Sequence, residues 1–273
     1  MTGEVSVFET SEDDTASKEF LRKGYVIAEA ENRAGLDALK RLAAETTRQH
    51  LNIDAGPEDD DALLNAVHQY VGVEGLNGLR LSVIGALRSQ VWFRPTCYSL
   101  AANLIKEIVG NELSMQRGVG LSVQLPNDES SLLPIHTDVW DGDSPFEVVL
   151  WVPLVDVQAT KSMFITSLEN DRPHQANMSD FQDKSSEALF QSVKKDVEFV
   201  KIPYGSVLLF SQTLMHGNRV NKEPETRWSM NCRFKSAMSP YADKKLGEFF
   251  EPISLRPATR VGLSYELPEG FDE

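Results

Sequence analysis

His136-Thr137-Asp138 places an imidazole and a carboxylate two residues apart, at the end of an apolar run from Leu132 to Thr137 that reads as a short strand. On a strand, residues two apart project from the same side, so both side chains can converge on one point. Imidazole plus carboxylate is a ligand set for Fe, Mn or Zn, and it needs a third ligand from elsewhere. His216 is the best candidate, because Leu208-Leu209-Phe210 leads into it and Gly217-Asn218 follows. Singly, each residue also has a structural reading, since a His-x-Asp pair often arises by chance as hydrogen-bonded partners. The combination carries the case. Two histidines and a carboxylate on one face of an ion leave three coordination positions open.

Arg227-Trp228-Ser229 begins eleven residues after His216. An arginine on the next strand can point into the same interior, beyond the metal. Its planar fork grips a carboxylate through two parallel hydrogen bonds. Ser229 shares that face and can donate to the same carboxylate. Arg233 reads instead as a surface or structural arginine. Trp151 reads as core. His50, His68 and His174 lack partner spacing, and Glu58 to Asp61 reads as a solvated acidic loop.

These residues resemble the 2-oxoglutarate/Fe(II) dioxygenase superfamily: His136-Thr137-Asp138 and His216 match its facial triad, and Arg227-Trp228-Ser229 its co-substrate segment. The opening Phe20-Leu21-Arg22-Lys23-Gly24-Tyr25 is similar to the phytanoyl-CoA-dioxygenase-like branch. Leu132 to Asp138, Gly142 to Glu147 and Trp151 to Asp156 are closer still to StrG-like oxygenases of bacterial carbohydrate and aminoglycoside clusters. The detailed similarity runs from Arg117 to Phe234. The resemblance implies Fe(II) on His136, Asp138 and His216, with 2-oxoglutarate taking two open positions and its far end on Arg227 and Ser229. O2 is then the second co-substrate, succinate and CO2 are co-products, and hydroxylation is the default outcome. It further implies Gln124 as a contact to 2-oxoglutarate or substrate, against a plain sheet-edge role. Trp140, Asp141, Asp143 and Arg117 are the implied substrate contacts, and a sugar or sugar derivative is the implied substrate. Ile165-Thr166-Ser167-Leu168 stands where phytanoyl-CoA-like enzymes usually carry Gly-Ser-His, which argues against a CoA thioester. Asp138 is intact, which argues against the related halogenases. Two rivals remain: a cupin-like metal enzyme that uses no 2-oxoglutarate, and a non-catalytic metabolite-binding module.

The elements that must position these residues fall into two kinds. Helical spacing marks Arg33 to His50, Leu79 to Arg88 and Pro95 to Val109, with Asp61 placed to cap a helix after the Pro57 loop. A β-prone run, Gly24 to Ala28, follows a short helix. After Gly110 the pattern changes to short strands: Gly118 to Leu125, Leu132 to Thr137, Phe146 to Val155, Met163 to Thr166, Val197 to Ile202, Ser206 to Phe210 and Thr226 to Phe234. Pro203-Tyr204-Gly205 reads as a hairpin turn, and Arg172 to Lys195 as a loop and helix insertion. Helices followed by many short strands predict α+β. The resemblance specifies a double-stranded β-helix, a cupin-like jelly roll, with N-terminal helices packed on one sheet. One domain over 1–273 is expected, mainly helical to 110, jelly roll over 111–235, and a C-terminal extension over 236–273.

Composition sets the remaining bounds. The 273 residues carry a formal net charge of -14 and are 41% hydrophobic, enough for one sizeable core. A surface this acidic repels phosphate backbones and anionic lipid, so neither nucleic acid nor membrane is an expected partner. The expected partner is a small molecule, with a homo-oligomer left open. Cys97 and Cys232 are too few for a disulfide framework. No apolar leader opens the chain, and a cytoplasmic location is expected.

Overall fold

The structure, a computed structural model, describes residues 15–54, 56–57 and 59–270. The polar opening from Met1 to Asp14 and Glu58 of the acidic loop lie outside the described residues. In chain order the elements are α1 (Thr15–Lys23), β1 (Tyr25–Glu29), α2 (Arg33–Leu51), α3 (Asp60–Ala66), α4 (Val73–Arg88), α5 (Phe93–Ser99) and α6 (Ala102–Val109). There follow β2 (Leu113–Gln116), β3 (Gly120–Gln124), β4 (Glu147–Pro153), β5 (Met163–Thr166), α7 (Leu168–Ala176), α8 (Ser186–Val193) and β6 (Val197–Phe199). The chain continues through β7 (Ser206–Ser211), β8 (His216–Asn218), β9 (Arg227–Ser236), β10 (Phe250–Ser254) and α9 (Pro257–Leu263).

Two antiparallel sheets form the core of an α+β, cupin-like fold. The seven-stranded sheet runs β1-β7-β4-β9-β2-β10, with β3 paired to the first half of β9; the three-stranded sheet runs β6-β5-β8. Strands β4 and β9 are central and covered on both faces, which explains why Val148 to Val152 is an unbroken apolar run rather than an alternating one. On one face, Val148, Leu150 and Val152 stand opposite Phe234, Cys232 and Met230, in step with Trp228. That face meets the helices: Trp228 Nε1 donates to the carbonyl of Leu64 on α3 at 2.9 Å, and Phe234 packs on Tyr98 of α5. Helices α2 and α4 bury Leu36, Leu39, Leu79, Val83 and Leu87 in the same core. Truncating one such leucine to alanine costs about 2–5 kcal/mol. The opposite face of β4 and β9 carries Val149, Trp151, Asn231 and Arg233, and it looks towards the small sheet.

Several elements depart from the expectations. Pro203-Tyr204-Gly205 is no hairpin. It is the corner where the chain leaves the small sheet: β6 pairs with β5, while β7 pairs with β1 and β4 of the large sheet. Leu132 to Thr137 is no strand either, but an extended loop with one bridge, His136 to His216. Pro134 has no N–H to offer a ladder. The cap of α3 is Asp59, which accepts from the Ala62 N–H at 2.9 Å, whereas Asp61 pairs with Lys40. Strands β1 and β10 extend the large sheet from outside 111–235. Cys97 and Cys232 are buried free thiols. His50, His68 and His174 each have a side-chain partner: Ser82, Thr226 and Asp196. Among the described residues, no helix is long and apolar enough to cross a membrane.

Candidate metal centre and anion-binding cavity

A cavity of about 460 Å³ lies between the two sheets. The large sheet lines it with Leu121, Ser122, Val149, Trp151, Phe210 and alternate residues of β9; the small sheet adds Met163, His216, Gly217 and Asn218.

His136, Asp138 and His216 meet at one wall, each offering a ligand atom within 4.8 Å of the others. The bridge between the two histidines has bonds of 3.0 Å and 2.9 Å, in place of the strand expected for this segment. Asn218 reinforces it. Its carboxamide oxygen accepts from the Leu133 N–H at 2.6 Å, and its Nδ2 donates to the Ser131 carbonyl at 3.1 Å. From behind, the buried Asp171 carboxylate accepts from the Met215 N–H at 2.8 Å and from Thr166 Oγ1 at 2.6 Å. Asp138 opens a short 3-10 turn, Asp138–Asp141, which swings its carboxylate back towards the histidines.

The tautomers follow from the hydrogen bonds. His136 Nδ1 lies 2.8 Å from the Pro134 carbonyl, and His216 Nδ1 lies 2.9 Å from that of Leu214. A carbonyl only accepts, so each Nδ1 carries the proton and each Nε2 presents a lone pair. The Nε2 atoms sit 3.7 Å and 3.9 Å from the two Asp138 oxygens, room for an ion between them. Burial holds His216 neutral, lowering its pKa to about 4. Burial opposes ionisation of Asp138 as well, but the facing His136 and His216 rings and the Arg233 guanidinium hold its carboxyl well below the usual range. Two neutral imidazoles and one ionised carboxylate form a donor set that fits a divalent first-row metal.

Arg227 lines the same cavity and is 4% exposed. Its Nη2 donates to Ser122 Oγ at 3.0 Å, and its buried Nε has no partner. No acidic residue pairs with it among the described residues; the neighbouring charge is that of Arg80, and burial lowers its pKa to about 10. Ser229 Oγ, two residues along the same face, is also buried without a partner. A buried cation beside an unsatisfied hydroxyl is costly unless an anion completes the set. These residues therefore fit a carboxylate.

The other expected site residues divide. Asp141 lines the cavity. Trp140 is 44% exposed and lies outside the lining. Asp143 is buried and turned to Arg233 and Lys244. Arg117 reaches Glu251 on β10 and is away from the cavity. Gln124 is on the cavity-side face of β3, but its amide donates to the Arg219 carbonyl at 2.8 Å and is not among the lining groups. Trp151, read as core, does line the cavity. Sequence reasoning missed Arg80, Asn218, Asn231 and Arg233, all cavity-lining. For Asn231 and Arg233 a signal existed: they continue the two-residue period begun by Arg227 and Ser229.

No protein-family model matches the chain, and no curated protein matches it. Solved structures do. AviO1 from Streptomyces viridochromogenes Tue57 is 16% identical, covering 83% of this chain and 96% of its own, with a TM-score of 0.54. HygX from Streptomyces hygroscopicus, solved with nickel and 2-oxoglutarate bound, is 14% identical over 87% and 90% of the two chains, with a TM-score of 0.50. SnoK, a non-heme alpha ketoglutarate dependent carbocyclase from nogalamycin biosynthesis, is 15% identical over 90% and 97%, with a TM-score of 0.51. At these identities the likeness is one of fold: the chain has the α+β, cupin-like fold shared by these proteins.

Proposed function

We propose that this chain is a non-haem Fe(II)- and 2-oxoglutarate-dependent oxygenase that hydroxylates a small polar molecule. One observation carries the reading: a His/Asp/His cluster and a buried arginine without an acidic partner line one cavity. His136, Asp138 and His216 would hold Fe(II), each offering one ligand atom. Arg227 and Ser229 would take the far carboxylate of 2-oxoglutarate and so orient its keto-acid end towards the metal-binding residues. A metal held there would supply oxidation of a C–H bond by O2, coupled to conversion of 2-oxoglutarate to succinate and CO2. Val149, Trp151, Met163 and Phe210 contribute an apolar wall to the cavity. Nickel and 2-oxoglutarate bound in HygX, a protein of the same fold, support the pairing of metal with keto acid.

The substrate reading is a sugar or sugar derivative, in keeping with the resemblance to StrG-like oxygenases. Asp141, Asn231, Asn218 and Ser131 offer acceptors and donors to hydroxyl groups, and Trp151 offers an aromatic face to apolar C–H groups. Trp140 and Asp143, first expected in this role, do not line the cavity. The test is succinate formation from 2-oxoglutarate across a substrate panel. Free, nucleotide-linked or amino sugars should stimulate it. Stimulation by acyl-CoA or free amino acids alone rejects the carbohydrate reading. Substrate turnover without added 2-oxoglutarate rejects the co-substrate.

A further inference from the structure

Arg233 is the second arginine of β9 whose side chain lines the cavity, and its surroundings differ sharply from those of Arg227. Its Nη2 donates to Asp138 Oδ1 at 3.1 Å. Its Nε lies 3.4 Å from Asp143 Oδ1, an ion pair without hydrogen-bond alignment. Its backbone N–H donates to Gln116 Oε1 at 3.2 Å, and its Nη1 is 3.5 Å from that oxygen. The guanidinium is spent on groups of the protein, whereas Arg227 has no carboxylate partner among the described residues.

Asp143 owes its place to Gly142. There the chain turns with a φ of +84°, and a Cβ would meet the Asp243 carboxylate at 2.5 Å. Few residues but glycine take that conformation. The turn sends Asp143 back beneath the 3-10 turn of Asp138, where its carboxylate is almost fully buried between Arg233 and Lys244. A carboxylate that is buried needs such cations.

We propose that Arg233, held by Asp143, which is itself paired with Lys244, is a positioning residue for the metal ligand Asp138. It occupies one carboxylate oxygen and leaves the other for the ion, so that Asp138 binds through a single atom and the remaining positions stay open. The inference rests on the metal assignment to His136, Asp138 and His216. Outer partners of metal ligands orient them, and their removal typically weakens metal binding about tenfold to a hundredfold. A simple charge effect has the opposite sign: deleting a cation beside a dication tightens binding.

The experiment is titration of the full chain with Co(II) in the absence of 2-oxoglutarate, read by calorimetry and by visible absorption, which reports coordination number. Arg233→Met should weaken Co(II) about tenfold to a hundredfold and change the absorption. Arg233→Lys should recover part of the loss, and Asp143→Asn should weaken binding in the same direction by less. Arg227→Met should not weaken Co(II), which separates positioning of a ligand from anchoring of a co-substrate. Binding by Arg233→Met as tight as the parent or tighter, with unchanged absorption, overturns the proposal. Should Arg233→Met fail to fold, Asp143→Asn decides, and parental Co(II) binding in that variant overturns it. If the parent binds Co(II) no better than His216→Ala does, the metal assignment itself falls.

Discussion

Arg227→Met is the substitution whose consequences divide most sharply. Methionine fills similar space without the charge. In the protein alone, Arg227 is a buried cation with no acid beside it, and burial lowers its pKa from 12.5 to about 10. Each unit corresponds to about 1.4 kcal/mol, so holding this guanidinium charged at neutral pH costs roughly 3 kcal/mol. Methionine removes that cost and loses one hydrogen bond to Ser122 Oγ, about 1 kcal/mol. The variant should therefore be more stable than the parent by about 1–2 kcal/mol, a rise in Tm of several degrees. Binding moves the other way. A charge-assisted bidentate contact contributes about 1.5–3 kcal/mol, so 2-oxoglutarate affinity should fall roughly tenfold to a hundredfold. Thermal unfolding of both proteins with bound nickel, across a 2-oxoglutarate series, measures the two effects together. A variant less stable than the parent, with unchanged stabilisation by 2-oxoglutarate, would mean that Arg227 is a structural arginine and would refute the reasoning.

Gly217→Ala should disturb the metal centre from outside it. A Cβ there would lie 2.7 Å from the Leu133 carbonyl oxygen and press on the loop that carries His136, so we expect a loss of about 1–3 kcal/mol in stability with weaker Co(II) binding. Unchanged Co(II) affinity in a destabilised variant would separate the loop from the site. Glu147 is buried, and burial together with Asp143 raises its carboxyl to about 7. The folded state then holds a proton that the unfolded chain releases near 4.5, so stability falls as pH rises through the window from 4.5 to about 7. Glu147→Gln should remove that slope. Its gain over the parent should grow across this window and level off above it, as measured by urea unfolding at each pH; a gain independent of pH would contradict the assignment.

Much of this arrangement could be read from the residues. The apolar runs gave β4, β5 and β7 to within a residue or two, because strands buried on one or both faces must be apolar, and Thr226 to Phe234 was legible as β9 although one of its faces is polar. The three metal-binding candidates were legible as residue types, yet they converge by a different geometry from the strand that their spacing suggests. His136 and Asp138 meet His216 through a bridged loop and a 3-10 turn, not through a strand; Asn218 fixes that loop and Asp171 holds Met215 beside His216, both through side-chain bonds with no local pattern. The Pro203-Tyr204-Gly205 corner has the composition of a hairpin, since a turn within one sheet and a turn between two sheets demand the same residues. Arg227 and Arg233 lie six apart on one face of β9. What distinguishes them is their partners: Asp138 and Asp143 for one, no carboxylate for the other. Asp143 looked like a substrate contact because its loop follows the ligands; the left-handed turn at Gly142 redirects it inward.

The central claim is that metal and keto acid share the cavity. Anaerobic titration of the protein with 2-oxoglutarate, with and without one equivalent of Fe(II), tests this directly through the visible charge-transfer absorption of an iron–keto-acid chelate. The absorption should appear with one 2-oxoglutarate per chain, require His136, Asp138 and His216, and need far more 2-oxoglutarate in Arg227→Met. Equal 2-oxoglutarate binding with and without Fe(II), and no absorption in the parent, would contradict it.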